Sequence, residues 1–401
     1  MPHTTAPVAG KPGPVLAQPY VSRLLAGTLI GRLPTGMVPV AVLLLVGAQG
    51  GSLSTAGMLC AVYGLASALG QPLLGRLVDR RGQTVVATLA VLVTSLALLA
   101  LPRLNSAQEP ALFGSVLVLA GLSTPPLEAN VRALWPSVLP NPSQQRAALA
   151  LDTGSQGLIF IAGPPLVVAL TALAGPAPAI TATALLGLAG AVIVLTAAPS
   201  RSWQPHATNS SSSFLGPLHH LGLVALFTAL AGTGIALGAH TVWAVALADR
   251  TGTALLSGLV PAALSVGSLI GGTVYGRRTW PGSLTAQLTA AALAFTLGWS
   301  VLLTNPGPGL AVGLSVLPGL FLTAPVTSSF LTVDALAPAG TTTEAYAWLI
   351  AAIGIGQAAG TALAGPLATH PHLAGALPCA GALFTVSVIV FARRQIHVPG
   401  T

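Results

Sequence analysis

Seven carboxylates are spread through 401 residues: Asp79, Glu109, Glu128, Asp152, Asp249, Asp334 and Glu344. Only 15 Lys and Arg accompany them, so charge makes up 5% of the chain. The segment "GRLVDRRGQ" (75–83) gathers Arg76, Asp79, Arg80 and Arg81 between long apolar runs. Glu128 and Arg132 are spaced i, i+4 and share one helix face. Pro125-Pro126 just before them predict a bend or local unwinding. Asp152 follows Arg146 in the next apolar run. Arg32 lies in "IGRLPTGMVP", whose Pro34, Gly36 and Pro39 suggest a discontinuous helix lining a cavity. A charge at mid-bilayer costs about 2.5–3.5 kcal/mol on insertion scales, so such groups need a partner or a task. Two tasks fit. Glu128 or Asp152 carries a proton, with Arg132 tuning Glu128; or Glu128 and Arg132 form a structural ion pair. Arg32 is expected to pair with Glu128 or Asp152, or to meet an anionic group on a substrate.

Uncharged polar residues inside apolar runs are the remaining candidates for a substrate path: Gln71, Asn130, Gln156, His240 and Gln357. Each also serves as helix–helix glue. Tyr63, Trp243 and Trp299 either form an aromatic wall or fill space. Gly267/Gly271 and Gly356/Gly360 are spaced for close helix packing. "TTTE" (341–344) reads as a capping box, in which Thr341 and Glu344 satisfy free backbone N–H groups at a helix start.

Other chemistries lack their residues. His219-His220 and the histidines of "HPH" (370–372) have no Cys or Asp partners nearby, so no metal site is expected. There is no Gly-rich loop ending in Lys-Ser/Thr for ATP, and no Ser/His/Asp or HExxH constellation. The chain is expected not to be an enzyme and to need no cofactor. Its net charge of +8 is carried by arginines scattered singly and in pairs between apolar spans, which argues against nucleic acid.

These residues must be positioned by membrane helices. Hydrophobic residues make up 53% of the chain. A soluble chain spends about a quarter of its residues on charge, so most of this surface faces lipid. Apolar windows of spanning length fall at roughly 22–48, 54–76, 84–101, 110–134, 147–173, 178–198, 219–246, 254–276, 284–304, 309–333, 344–368 and 373–392. Twelve spans put both termini on one side. With that side cytoplasmic, Lys11, Arg23, Arg76, Arg80, Arg81, Arg132, Arg146, Arg201, Arg277, Arg278, Arg393 and Arg394 lie inside, against Arg103 and Arg250 outside. Trp135, Trp243, Trp280 and Trp348 fall near span ends, as interfacial anchors would.

The fold class read from this pattern is an all-α polytopic membrane protein, with twelve transmembrane helices in two pseudo-symmetric six-helix bundles. The divisions are a cytosolic tail (1–19), an N-terminal bundle (20–198), a Ser/Asn/Pro-rich cytosolic linker (199–218), a C-terminal bundle (219–394) and a short cytosolic tail (395–401). Repetition supports two halves. "GRLVDRR" and "GTVYGRR" (272–278) both leave the second helix of their half, and Gly163-Pro164 and Gly365-Pro366 both sit in the fifth.

"GRLVDRRGQ" between spans 2 and 3 resembles the signature loop of the major facilitator superfamily, G-x-x-x-D-R-x-G-[RK], at Gly75, Asp79, Arg80 and Gly82. "YGRR" (275–278) is similar to the degenerate copy in the second half, and "RALWP" (132–136) to the arginine-bearing fourth helix. "GPP" (163–165) partly resembles the antiporter motif, with Ile159, Leu166 and Val167 where further glycines stand. The resemblance implies a bacterial drug:proton antiporter of the multidrug and metabolite efflux branch, driven by the proton gradient. It also implies a conformational latch: Gly75, Asp79, Arg80 and Gly82 holding the start of span 11 at Glu344 when the cytoplasmic side is closed, with Arg132 nearby. The expected partners are a small lipophilic or weakly polar substrate and the lipid bilayer, with the chain a monomer in the bacterial cytoplasmic membrane. A sugar or amino-acid permease of the same fold is the alternative. A non-transporting scaffold or sensor is the reading from a different class, though the longest loop is only about 20 residues.

Overall fold

The computed structural model describes residues 15–51, 53–204, 216–253, 255–367 and 371–396. Most of the 1–19 tail, residues 205–215 of the linker and residues 397–401 lie outside the described residues. The first half holds α1 (Val21–Ala48), α2 (Leu53–Arg81), α3 (Gln83–Ala100), α4 (Pro110–Leu122), α5 (Leu127–Val138), α6 (Pro142–Ser155), α7 (Gly157–Ala174) and α8 (Pro176–Leu195). A short helix α9 (Ala198–Ser202) occupies the start of the linker, where Thr84 donates to the Ser200 carbonyl at 3.1 Å. The second half holds α10 (Leu221–Thr251), α11 (Leu256–Arg277), α12 (Leu284–Ser300), α13 (Pro308–Leu336), α14 (Thr342–Ala364) and α15 (Pro371–Phe391).

Eleven helical segments among the described residues are long and apolar enough to cross a membrane, and α15 supplies a shorter apolar twelfth. Two spans are each built from two helices: α4 with α5, and α6 with α7. The first break falls at the expected prolines. Pro125 and Pro126 cannot donate backbone hydrogen bonds, and α5 restarts at Leu127. The second break falls at Gln156, which ends α6 and starts α7.

The expected discontinuity in span 1 is absent. α1 runs unbroken through Pro34 and Pro39. Neighbouring helices pack closely against this stretch: the Cys60 thiol donates to the Pro39 carbonyl at 3.2 Å, and Gly36 rides against the Ile159 backbone. The tryptophan reading also needs correction. Trp135 and Trp243 are fully buried and pack inside the halves, while Trp348 is half-buried and Trp280 exposed. Leu173 and Phe391 stand almost fully exposed, as residues in contact with lipid chains would.

Within the first half, α1 packs on α7 and α8 and α2 packs on α4; within the second, α10 packs on α14 and α15 and α11 on α13. The glycine pairs serve these contacts. A side chain at Gly356 or Gly360 would strike the backbone of Ala231 or Ile235 on α10, and one at Gly267 or Gly271 would strike α13. The halves meet chiefly along α2 with α14 and α6 with α11, with further contacts of α7 on α11, α6 on α13 and α5 on α14.

Candidate functional site

Gly75 and Asp79 stand one turn apart on α2. A Cβ at Gly75 would lie 3.0 Å from the Thr343 carbonyl oxygen and 3.1 Å from the Ala347 Cβ, so a side chain here would press on α14. Asp79 is buried, and its two carboxylate oxygens accept hydrogen bonds from the backbone N–H groups of Thr343 (3.1 Å) and Glu344 (2.7 Å). These amides belong to the first turn of α14, where N–H groups have no partner within the helix and the helix dipole favours an anion. The carboxylate of one half thus caps a helix of the other.

The capping box expected within α14 does not form. Thr341 makes no side-chain cap and instead donates to the Pro338 carbonyl at 2.8 Å. Asp79 has taken the amides that Thr341 would have served. Glu344 is buried, and Arg76 and Arg80 act electrostatically on its carboxylate. Gly82 turns the chain from α2 into α3 at φ +96°, a left-handed conformation that disfavours any side chain. The second interface is built on glycines as well: Gly276 packs on Ala147, Gly272 on the Ala150 carbonyl, Gly154 on the Ser268 carbonyl and Gly157 on Ser265.

Deeper in the first half, four charges form one cluster. Arg32 of α1 pairs with Glu128 of α5, and its other guanidinium nitrogen lies 3.6 Å from Asp152 of α6. Arg132 is 2.6 Å from Glu128 and 2.6 Å from Asp152, and it reaches Thr153 at 3.3 Å. Each acid therefore touches both arginines, and the formal charges cancel. That cancellation, with nearly every charge buried, is what makes the cluster tolerable at this depth.

The cluster also touches the second half. The Arg132 guanidinium carbon sits 3.7 Å above the Phe330 ring of α13. Phe330 meets Tyr346 of α14 edge-on at 5.2 Å, and the Tyr346 hydroxyl donates to Asp334. Phe330, Asp334 and Tyr346 carry no motif. Only the i, i+4 spacing of Phe330 and Asp334 in an apolar run hinted that one face of that helix is special.

Two cavities adjoin these groups. The first, of about 80 Å³, is lined by Arg32, Glu128, Gln71, Tyr63, Thr124 and Gln156, among others. The second, of about 140 Å³, lies between the halves and is lined by His240, Gln357, Thr233, Phe160, Ser265 and again Gln156. Of the candidate path residues, Arg32, Gln71, Gln156, His240 and Gln357 thus line a cavity. Asn130 does not. It is fully buried and lines neither. Two residues along a helix turn about 200°, so a helix that aims Glu128 and Arg132 into the cluster aims Asn130 away from it. Its backbone carbonyl accepts from Gln83 at 2.8 Å.

A family model of the Major Facilitator Superfamily matches residues 24–361. The chain belongs to this superfamily. Its members are membrane transporters of small molecules, not enzymes. Solved structures share the major facilitator fold with it. A bacterial homologue of the iron transporter ferroportin, in the outward-facing state, superposes with a TM-score of 0.73 at 15% identity, over 93% of this chain and 99% of that one. The human organic anion transporter MFSD10 (TETRAN) gives 0.67 at 18% identity, over 94% and 98%. The transporter FucP in the outward conformation gives 0.66 at 15% identity, over 94% and 98%. No curated protein sequence matches the chain.

Proposed function

We propose that this major facilitator protein is a proton-coupled exporter of a small lipophilic or weakly polar molecule, a drug or secondary metabolite, working by alternating access as a monomer in a bacterial cytoplasmic membrane. The arginine-rich ends of the spans face the cytoplasm, and the Asp79 end is the closed cytoplasmic side of an outward-facing conformation. Asp79, Gly75, Arg80, Gly82 and Glu344 form the latch.

The observation that carries this reading is the neutral four-charge cluster in a cavity wall. A proton added to Glu128 or Asp152 leaves two arginines facing one carboxylate, a net positive charge buried beside Phe330 of the other half. Relief of that imbalance requires the cluster, and hence the packing of the halves, to rearrange. Export is favoured by the Gly163-Pro164 element and by a cavity between the halves whose described lining carries no Asp, Glu, Lys or Arg.

Proteoliposomes with an imposed pH gradient and a panel of candidate substrates test the reading. Gradient-dependent movement is expected in the wild type and lost in Glu128→Gln and Asp152→Asn. Equal transport with and without the gradient, or in the two variants, overturns it.

A further inference from the structure

The cavity between the halves has a chemistry of its own. None of the described residues lining it is charged, so it offers no carboxylate to a cation and no guanidinium to an anion. The four-charge cluster opens onto the other cavity, and of the residues lining the two only Gln156, at the break between α6 and α7, is shared. Charge handling and the uncharged chamber are thus kept in adjoining compartments.

His240 gives the uncharged chamber a direction. It is buried on α10, with its ring stacked on Trp243 (centroids 5.8 Å apart) and edge-on to Trp299 (5.2 Å). Its Nε2 lies 3.2 Å from the Ser315 hydroxyl oxygen. That hydroxyl already donates to the Ala311 carbonyl at 2.7 Å, and a carbonyl can only accept. The Ser315 oxygen is left as an acceptor, so His240 Nε2 carries the hydrogen and donates to it. In the neutral imidazole the other nitrogen, Nδ1, is then a bare acceptor. No hydrogen bond to it is made by the described residues.

We propose that this chamber selects an uncharged, ring-sized molecule or moiety bearing an N–H or O–H group that donates to His240 Nδ1. The volume of about 140 Å³ is close to that of cavities of about 150 Å³ known to hold one benzene. Gln357, Gln156 and Thr233 in the same wall supply further hydrogen bonds for a polar edge. A charged ligand would enter without a counter-charge, and a ligand without a donor would leave Nδ1 unpaired. The inference deepens the export reading and rests on it for the direction of passage, but binding itself needs neither gradient nor transport.

The test is equilibrium binding by ligand-detected NMR on the full chain in lipid nanodiscs, with empty nanodiscs subtracted. Four probes of similar size separate the terms: benzamide (uncharged, donor), acetophenone (uncharged, no donor), benzoate and benzylammonium. Benzamide is expected to bind about tenfold more tightly than acetophenone, and the two ions more weakly still. His240→Leu is expected to erase the benzamide preference. An ion binding as well as benzamide, acetophenone matching it, or a preference surviving in His240→Leu overturns the proposal. If that variant does not fold, the four-probe ranking in the wild type decides. Failure here with intact gradient-driven transport refutes the site and spares the exporter reading.

Discussion

Asp79→Asn is the sharpest perturbation of the contact between the halves. The wild-type carboxylate accepts from two α14 amides at 3.1 and 2.7 Å. Asparagine keeps one carbonyl acceptor and turns its NH₂ toward the other amide, so one charge-assisted hydrogen bond is lost and the helix dipole loses its anion. A hydrogen bond to a charged group contributes about 1.5–3 kcal/mol, and a partly buried charge at a helix end about 1 kcal/mol. Some of this is recovered by the remaining bond. A net loss of about 2–3 kcal/mol from the closed arrangement shifts the closed-to-open ratio roughly 30- to 150-fold, at about 1.4 kcal/mol per tenfold. Spin labels on exposed Arg81 and Arg278, with Cys60 and Cys379 replaced by serine, report the separation by double electron–electron resonance. The variant is expected to express normally, lose transport and gain a long-distance population. A wild-type distance distribution with normal transport refutes the reasoning.

Gly75→Leu is expected to shift the same spin-label distances in the same direction, because its Cβ alone would press on the Thr343 carbonyl at 3.0 Å; an unchanged distribution would show that α2 and α14 do not hold this end. Arg132→Leu leaves Glu128 and Asp152 sharing Arg32 alone and should cost about 3–5 kcal/mol. Adding Glu128→Gln restores a one-to-one balance and should recover part of that loss, with a coupling of about 1 kcal/mol or more in a double-mutant cycle read by thermal unfolding. Strict additivity would mean the four charges do not act together.

Much of this was legible in the sequence. The spans, the proline break before Glu128 and the pairing of Arg32 with either acid all follow from apolar length, proline chemistry and the cost of lone charge in lipid. The misses share a cause. Pro34 and Pro39 read as a break because a chain lists its prolines but not the helices packed around them, among which this helix runs on. Thr341 read as a cap because a local pattern cannot show that a carboxylate 264 residues earlier would reach the same helix start. Asn130 read as a path residue because polarity inside a span is visible and helix rotation is not. Phe330 and Tyr346 stayed hidden since an apolar ring gains meaning only from the guanidinium it covers.

Because α14 borrows its cap from the opposite half, releasing Asp79 does two things at once. It frees α2, and it strands two peptide N–H groups at the head of α14 without an acceptor. That first turn must then fray or recruit water, so part of the energetic cost of release is local unwinding rather than lost attraction. Hydrogen–deuterium exchange at Thr343 and Glu344 is therefore a clock built into the backbone, ticking only during the fraction of time that this end of the molecule stands apart.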